Sequence, residues 1–347
     1  MSVDLARTCV EDFRKYSDTV TTAAAIYHLF ASNPSIGHFI GIEHKLVTSN
    51  PDEILTPDIT AVYNSDSKGL LFELKYSLPT EVGSVKDELL KLEKYSRVQG
   101  GWRVKGPVQS VDFILICHID DVSRAVEGAQ QVFAETGKPF YNPTSFSIWY
   151  WTIPSARGDE RREEMRLLHA YGATRNDLLQ QMIKMPGGIL AAEEVLTTLR
   201  FTYPFIRQKP PVQYIIVFLM QNVFSALPPP SRAGRRFYNV DLDHIYQKTN
   251  ALFPPWWERD VQTVQVRRGW VKEALDTLVK LRLIMEISDK PDWYSIPIPT
   301  LVTRKPLHEV ICRKLGRIRR LGRPTAPKPV PKRRPAGVRP LTEFLQE

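Results

Sequence analysis

Two short stretches carry the most informative polar residues of the chain: TPDI at residues 56–59 and LLFELKY at residues 70–76. The second stretch has the composition of a strand, and successive side chains of a strand point to opposite faces of the sheet. Glu73 and Lys75 therefore share one face, while their apolar neighbours share the other. Asp58 lies on the preceding predicted strand, so a short turn would bring it beside Glu73 and Lys75.

These residue types in this arrangement favour metal-assisted chemistry. Oxygen ligands from Asp58 and Glu73 suit a hard cation such as Mg²⁺, with Mn²⁺ as a substitute. A bound cation polarises a phosphoryl oxygen and lowers the pKa of water, and Lys75 would offset developing negative charge. The constellation is therefore typical of phosphodiester hydrolysis. The alternative is a surface Glu–Lys pair on an edge strand, because a buried polar pair without partners is costly.

The flanking periodicities predict a mixed α/β domain over residues 1–153, with a core order of α-β-β-β-α-β. We expect a helix at 5–32, strands at 39–48, 55–63 and 70–76, a helix at 84–97, a strand at 111–118, a helix at 122–135 and a strand at 145–153.

This combination resembles the PD-(D/E)XK nuclease superfamily, whose fold is called restriction-endonuclease-like. Pro57-Asp58 and Glu73-Leu74-Lys75 correspond to its two motifs, and the match covers roughly residues 20–150. The resemblance implies that Asp58 and Glu73 bind metal, with the Leu74 carbonyl as a further ligand. Other formal matches at 51–52, 66–68 and 291–292 fall in predicted turns rather than strands.

Members of that superfamily often carry additional site residues. An upstream Glu frequently completes the metal site, and Glu43 is the nearest candidate, with Glu11 on the first predicted helix as a second. A Gln or Lys on the helix after the third strand, with an aromatic nearby, corresponds to Lys91 and Tyr95. His44 could orient substrate, although a lone His more often has a structural role.

Three further regions follow this domain. Residues 154–206 form a charged and mainly helical connector, and residues 207–303 show three helices followed by a β-hairpin, the pattern of a winged helix. Residues 304–347 form a basic tail, with a short helix after Pro306 and the rest disordered because of its Pro, Lys and Arg content.

Two segments are candidates for nucleic-acid contact. The loop at residues 100–106 offers Trp102 for base stacking and the cations Arg103 and Lys105 for phosphates, unless it is an ordinary surface loop.

In the winged-helix-like region the third helix would enter the major groove of DNA. Its cations Arg267, Arg268 and Lys272 lie toward the start of that helix, and Lys290 lies at the hairpin tip. Winged helices also serve as protein–protein modules, so the same surface could dock a partner.

The charge of the chain is concentrated at one end. The formal net charge is +9, and residues 304–340 hold 13 Lys and Arg against a single acid, Glu309, so the remainder is close to neutral. Such a tail favours polyanions, and we expect DNA as the partner. The apolar end at residues 341–345 is a candidate docking peptide for a protein partner.

The cysteines and apolar runs exclude several classes. Cys9, Cys117 and Cys312 lie far apart, so we expect neither a zinc motif nor a disulfide framework, and Cys117 lies in a predicted core strand. No apolar run is long enough to span a membrane, and we expect no signal peptide. These features predict a reduced protein that acts with DNA in the cytoplasm, or in the nucleus of a eukaryotic cell.

The sequence therefore predicts a Mg²⁺-dependent nuclease, with DNA endonuclease activity favoured. An RNA nuclease and a catalytically silent DNA-binding or assembly protein of the same fold are the alternatives. No glycine motif for nucleotide phosphates occurs, so we expect no ATP hydrolysis.

Overall fold

A computed structural model describes most of the chain. The described residues are 2–50, 52–64, 68–75, 77–102, 104, 108–152, 165–191, 210–227, 237–252, 267–297 and 307–321. The chain divides into two compact units, Asp18–Ile206 and a second unit made of Met1–Ser17 together with Arg207–Glu347.

Strands and helices alternate along the unit Asp18–Ile206, and the helix α1 at Ser2–Ser32 runs into its start. The strands are β1 Gly37–Ile42, β2 Leu46–Thr48, β3 Ile54–Leu55, β4 Ile59–Tyr63, β5 Lys68–Lys75, β6 Val98–Gly100, β7 Ser110–His118, β8 Phe146–Thr152, β9 Met165–Gly172 and β10 Ile189–Ala191. The helices are α2 Val82–Leu90, α3 Val122–Thr136 and α4 Asp177–Lys184, and a 3₁₀ segment, Lys91–Arg97, continues α2.

Seven of the described strands form one sheet in the order β1-β4-β5-β7-β8-β9-β10. β5, β7 and β8 are parallel, whereas the other neighbouring pairs are antiparallel. Residues on one face, such as Leu71 and Phe113, share an apolar core with α2 and α3. On the other face, Phe72 packs against Phe30 of α1 and Trp149 of β8. β5 is thus covered on both faces. Because it also pairs with β4 on one side and β7 on the other, the edge-strand interpretation of its Glu–Lys pair is wrong.

The predicted strands at 39–48 and 55–63 are each divided in two. Glu43 ends β1 because it adopts a left-handed backbone with φ of 48°, which a non-glycine residue rarely takes. β2 and β3 lie outside the main sheet, and β2 pairs with both β3 and β6 in a small sheet of order β3-β2-β6. The strands predicted at 111–118 and 145–153 and the helix predicted at 122–135 are confirmed as β7, β8 and α3.

The mainly helical connector predicted over residues 154–206 is confirmed at Asp177–Lys184 and wrong at Met165–Gly172 and Ile189–Ala191, which are strands. Residues 165–191 form β9, α4 and β10, and β9 extends the main sheet by pairing with β8. Backbone hydrogen bonding to β8 outweighs local helix preference here, and glycines with positive φ at 172, 187 and 188 permit the turns. Residues 153–164 and 192–209 lie outside the described part. The first unit therefore extends past the predicted boundary at 153.

The second unit contains the helices α5 Val212–Phe218, α6 Leu242–Ala251, α7 Arg268–Lys280 and α8 Leu307–Leu321, and the strands β11 Phe237–Asp241, β12 Met285–Glu286 and β13 Trp293–Pro297. The three strands pair in the order β11-β13-β12. The predicted third helix and hairpin are present, and a strand that the sequence did not predict, β11, directly precedes α6. A π-helical turn, Leu219–Val223, continues α5.

The described part of the predicted tail is a helix. Residues 307–321 form α8, as expected for a short helix after Pro306, and they belong to the second unit rather than to a disordered tail. Residues 322–347 lie outside the described part of the chain. Within the described residues, no helix is long and apolar enough to cross a membrane.

The start of α1 packs on α5 and α8 inside the second unit. Phe13 stacks on His308 with ring centroids 4.4 Å apart, and Gln213 donates a hydrogen bond to the Cys9 carbonyl at 3.0 Å. Cys9 and Cys312 form a disulfide, with Cα atoms 5.5 Å apart. The expectation of no disulfide is therefore wrong, because folding joins cysteines that are 303 residues apart in the sequence.

This disulfide should stabilise the second unit in the oxidised protein. Peptide mapping should find Cys9 linked to Cys312 and the buried Cys117 free. Removing the link should cost about 2–4 kcal/mol, because a cross-link restricts the unfolded chain. Denaturant melts with and without dithiothreitol measure this loss. A Cys9→Ser/Cys312→Ser variant is the control and should not respond to reductant. A wild-type melt that ignores reductant would contradict the prediction.

Candidate functional site

The antiparallel pairing of β4 with β5 brings the two predicted motifs together. Ile59 pairs with Phe72, so the preceding Asp58 lies opposite Glu73. The Leu74 backbone N–H donates a hydrogen bond of 2.6 Å to Asp58 Oδ2. This contact fixes the orientation of the Asp58 carboxylate at the end of β5.

The neighbouring strand β1 adds a third acid to the same end of the sheet. Ile42 pairs with Ile59, and the Glu43 N–H donates to the Asp58 carbonyl at 2.8 Å. Glu43, Asp58 and Glu73 therefore lie in register across three adjacent strands. The strained backbone of Glu43 occurs at this row, and such strain concentrates at functional sites. Glu43 was one of two candidates for the upstream acid, and the structure pairs its backbone with that of Asp58.

Both carboxylate oxygens of Glu73 are engaged. Lys75 Nζ lies 3.0 Å from Oε1, and the Tyr95 hydroxyl donates to Oε2 at 3.1 Å. Burial disfavours the charged form of Lys75, but the hydrogen-bonded Glu73 carboxylate outweighs burial, so the pKa of Lys75 is raised. Lys75 therefore remains a cation beside Glu73.

Asp58 experiences the opposite balance. Its side chain keeps partial contact with solvent, yet the surrounding protein displaces water from the carboxyl and raises its pKa well above the ordinary value. The negative charge of Glu73 raises it further, and that of Glu43 adds to the effect. The Leu74 hydrogen bond and Lys75 lower the pKa without cancelling the shift. The site thus concentrates negative charge beyond what its own cation neutralises.

The donor set is suited to a hard divalent cation. Carboxylate oxygens are the ligands that Mg²⁺ prefers, and added positive charge would relieve the repulsion between Asp58 and Glu73. The Leu74 carbonyl, expected as a further ligand, belongs to the residue whose N–H already binds Asp58. Among the described residues, no group of three or more His, Cys, Asp or Glu side chains is arranged to hold a metal.

The predicted shared face of Lys91 and Tyr95 is wrong, and the role of Lys91 in the site stays a prediction. Lys91 begins the 3₁₀ segment, in which residues three apart share a face. Tyr95 therefore faces the core with Leu92, whereas Lys91 pairs with Glu88 at the surface, its side chain 66% exposed. An α-helix throughout would have placed Lys91 and Tyr95 on one face. Glu88, which the sequence interpretation missed, lies near enough to Lys75 for its charge to help raise the pKa of Lys75.

Other candidates from the first unit have structural contacts. His44 is buried and its Nε2 lies 2.5 Å from the Gly101 carbonyl, which favours the structural interpretation. Trp102 is 3% exposed, and its ring lies where a side chain on Gly69 would be, so the proposed base stacking by Trp102 is wrong. The predicted contacts of residues 103 and 105 fall outside the described residues.

Glu11, the second candidate for the upstream acid, belongs to the other compact unit. Its carboxylate pairs with Arg7 on the same helix at 2.8 Å, and both side chains are well exposed.

The predicted cations of α7 are held by acids of the same unit. Arg268 contacts Asp243 at 2.6 Å and Asp292 at 3.5 Å. Lys272 contacts Asp292 at 2.7 Å and Asp276 at 3.5 Å. A phosphate would have to compete with these carboxylates, so the local electrostatics favour duplex binding less than the sequence alone suggests.

The remaining two cations of this surface lie over aromatic rings. Arg267 lies 5.5 Å from the Trp270 ring centroid, and Lys290 lies 4.6 Å from that of Trp293. Cation–π contacts of this kind are weak in water and leave the charged groups accessible. DNA binding through these residues stays a prediction.

No protein-family model, curated protein or solved structure matches this chain. The resemblance to the PD-(D/E)XK superfamily therefore stays a prediction that depends on the residues and geometry described above.

Neutralising Asp58 should stabilise the metal-free protein. Because the folded state raises the pKa of Asp58, the group contributes stability below the ordinary Asp pKa of about 3.9 and loses it as pH rises through the raised value. In EDTA at pH 7.5, Asp58→Asn should therefore melt at a higher temperature than wild type, by at least about 2 °C.

The difference in Tm should shrink as pH falls from the raised pKa of Asp58 toward 4, because the folded wild type takes up its proton above the pH at which the unfolded chain does. Asp87→Asn is the matched control, because Asp87 is exposed on the neighbouring helix and should show no such gain. A lower Tm for Asp58→Asn than for wild type at pH 7.5 would disprove the electrostatic account.

Proposed function

We propose that this chain is a Mg²⁺-dependent nuclease of the PD-(D/E)XK type that hydrolyses phosphodiester bonds in DNA. The observation that carries this proposal is the convergence of Asp58, Glu73 and Lys75 at adjacent ends of β4 and β5. The strand order around β5 supports the same assignment. β5 pairs antiparallel with β4 on one side and parallel with β7 on the other, and β1 pairs antiparallel with the far side of β4.

Each residue has a distinct role in this proposal. Asp58 and Glu73 would hold the cation, and the Leu74 N–H keeps Asp58 oriented toward it. When bound, the cation would polarise the phosphoryl oxygen and supply a more acidic water. Lys75 keeps its proton at Nζ and would offset charge that develops on the phosphate oxygens. Glu43 pairs with Asp58 through its backbone and would add negative charge beside the cation.

The nucleic-acid partner is proposed from charge. The basic tail is attached to a chain that is otherwise close to neutral, so it provides a sequence-independent attraction to phosphates. The second unit, with its order of helices and a three-stranded hairpin sheet, is proposed to be winged-helix-like. Because acids hold its α7 cations, a role in docking a protein partner is the second candidate function for this unit.

Removing a metal ligand should abolish cleavage without unfolding the protein. Asp58→Ala and Glu73→Ala should each lower the Mg²⁺-dependent cleavage rate by at least about 100-fold, because each variant removes a carboxylate that would hold the cation. Lys75→Ala should slow turnover with a smaller effect on metal binding. The assay compares single-stranded, duplex and branched DNA with RNA, so it also decides the substrate class.

Matched controls identify contamination and folding defects. Asp87→Ala and Lys86→Ala remove the same side-chain types from the neighbouring helix and should cleave like wild type. Cleavage by purified Asp58→Ala at the wild-type rate would refute the site. A folded wild-type protein that binds DNA but cleaves none of the substrates would favour the catalytically silent alternative.

The part of the basic tail that follows α8, residues 322–347, should act as an anchor for polyanions. Residues 322–347 contain six Lys and Arg against two Glu, and each phosphate contact contributes about 0.9 to the slope of log K against log salt for duplex DNA. Deleting these residues should weaken DNA binding and flatten that slope, as measured by fluorescence anisotropy from 50 to 300 mM KCl. A scrambled tail of identical composition should restore both. An unchanged salt slope after deletion would show that binding depends on another surface.

A further inference from the structure

Tyr95 occupies an unusual position for a core aromatic residue. It lies in the 3₁₀ segment Lys91–Arg97 and is 2% exposed. Its ring stacks on Phe113 of β7, with centroids 5.6 Å apart and planes inclined by 25°. The ring is therefore fixed by packing, and its hydroxyl has little freedom to move.

The fixed hydroxyl points at the candidate site. It donates to Glu73 Oε2 at 3.1 Å, and the Thr56 carbonyl lies 3.5 Å away. Thr56 belongs to the segment that leads into Asp58, two residues later. One phenol thus contacts both the strand that carries Glu73 and the segment that carries Asp58.

The other oxygen of Glu73 is held from a different direction. Lys75 Nζ lies 3.0 Å from Oε1, so a cation and a phenol divide the two oxygens between them. Burial and the charges of Glu73 and Asp58 raise the pKa of Tyr95, so the phenol stays a neutral donor. A buried carboxylate needs such donors, and losing one leaves it free to turn.

We propose that Tyr95 is a positioning residue that sets the orientation of the Glu73 carboxylate for divalent-cation binding. This inference rests on the proposed nuclease function, since it concerns the same site. Tyr95 acts through Glu73 and not on substrate. Groups that orient metal ligands in this way commonly change metal affinity by 10- to 100-fold when removed.

The chain offers a matched control for loss of a buried phenol hydroxyl. Tyr141 is fully buried in the same apolar core, and its hydroxyl donates to the Leu89 carbonyl at 2.9 Å. Its acceptor is a backbone group, whereas that of Tyr95 is a carboxylate of the site. Tyr95→Phe and Tyr141→Phe therefore delete the same atom from the same core with different consequences.

The experiment titrates each full-length protein with Mn²⁺ alone by calorimetry and then measures cleavage over a range of nucleic-acid concentrations up to saturation. Tyr95→Phe should weaken Mn²⁺ binding by about tenfold and lower kcat, with the KM for nucleic acid unchanged. Tyr95→Phe and Tyr141→Phe should each lower Tm by a few degrees. Tyr141→Phe should leave metal affinity and kcat at wild-type values. Wild-type Mn²⁺ affinity in Tyr95→Phe would overturn the inference.

A double-mutant cycle shows whether Tyr95 acts through Glu73. In a Glu73→Gln background, Tyr95→Phe should cause no additional loss of Mn²⁺ affinity, because the partner it positions is already altered. Independent, additive losses would overturn the inference and indicate a general packing role. The cycle remains informative if Tyr95→Phe is destabilised, because the Mn²⁺ affinity is compared for the folded fraction in the wild-type and the Glu73→Gln backgrounds.

The outcomes separate this inference from the proposed function. One possible outcome is that wild type and Tyr95→Phe both bind Mn²⁺ and cleave, whereas Asp58→Ala does neither. That outcome would overturn the role of Tyr95 alone. Absence of Mn²⁺ binding and cleavage in wild type would overturn the nuclease proposal and the role of Tyr95 with it.

Discussion

The burial of Glu73 on β5, beside Asp58, is the constraint on which the first unit depends. β5 lies between β4 and β7, and both of its faces are covered by apolar side chains. A carboxylate in this position is stable only when donors surround it. Lys75 and Tyr95 meet that requirement for Glu73, and the Leu74 N–H does so for Asp58. The hydrogen bonds and the ion pair that stabilise these carboxylates are thus required for folding as well as for the proposed chemistry.

The same arrangement of acids lowers the stability of the folded protein in favour of the proposed function. Apolar side chains at these positions would avoid the burial of a carboxyl group and the repulsion from Glu73, which together raise the pKa of Asp58. Acids held close together despite that repulsion are instead typical of sites prepared for a positive ligand. The left-handed backbone of Glu43 adds a second local cost at the same end of the sheet. Electrostatic and backbone strain therefore coincide at this row of acids, which supports the proposed cation site.

Positive charge is used differently in the second unit. The α7 cations Arg268 and Lys272 are held by nearby aspartates, so they contribute to the cohesion of that unit. These aspartates largely neutralise the positive charge of Arg268 and Lys272. The terminal segment, in contrast, carries many more cations than acids. Attraction to a polyanion should therefore depend more on the tail than on α7, and this division follows from where the acids lie.

The sequence by itself determined the features that follow from local periodicity and composition. Alternation along β5 placed Glu73 and Lys75 on one face, and the apolar runs of β7 and β8 identified the neighbouring strands. The concentration of cations at the end of the chain was likewise evident. These properties depend on residues that are close together in the chain, so the pattern alone is sufficient.

Only the tertiary structure decided which distant residues meet. Register across three strands brought Glu43 to Asp58, and pairing with β8 turned a predicted helix into β9. The change from α-helix to 3₁₀ geometry separated Lys91 from Tyr95 and gave Glu73 its phenol partner. The physical reason is that packing and hydrogen bonding across the whole unit determine strand pairing and helix geometry. Local propensity cannot specify these long-range interactions.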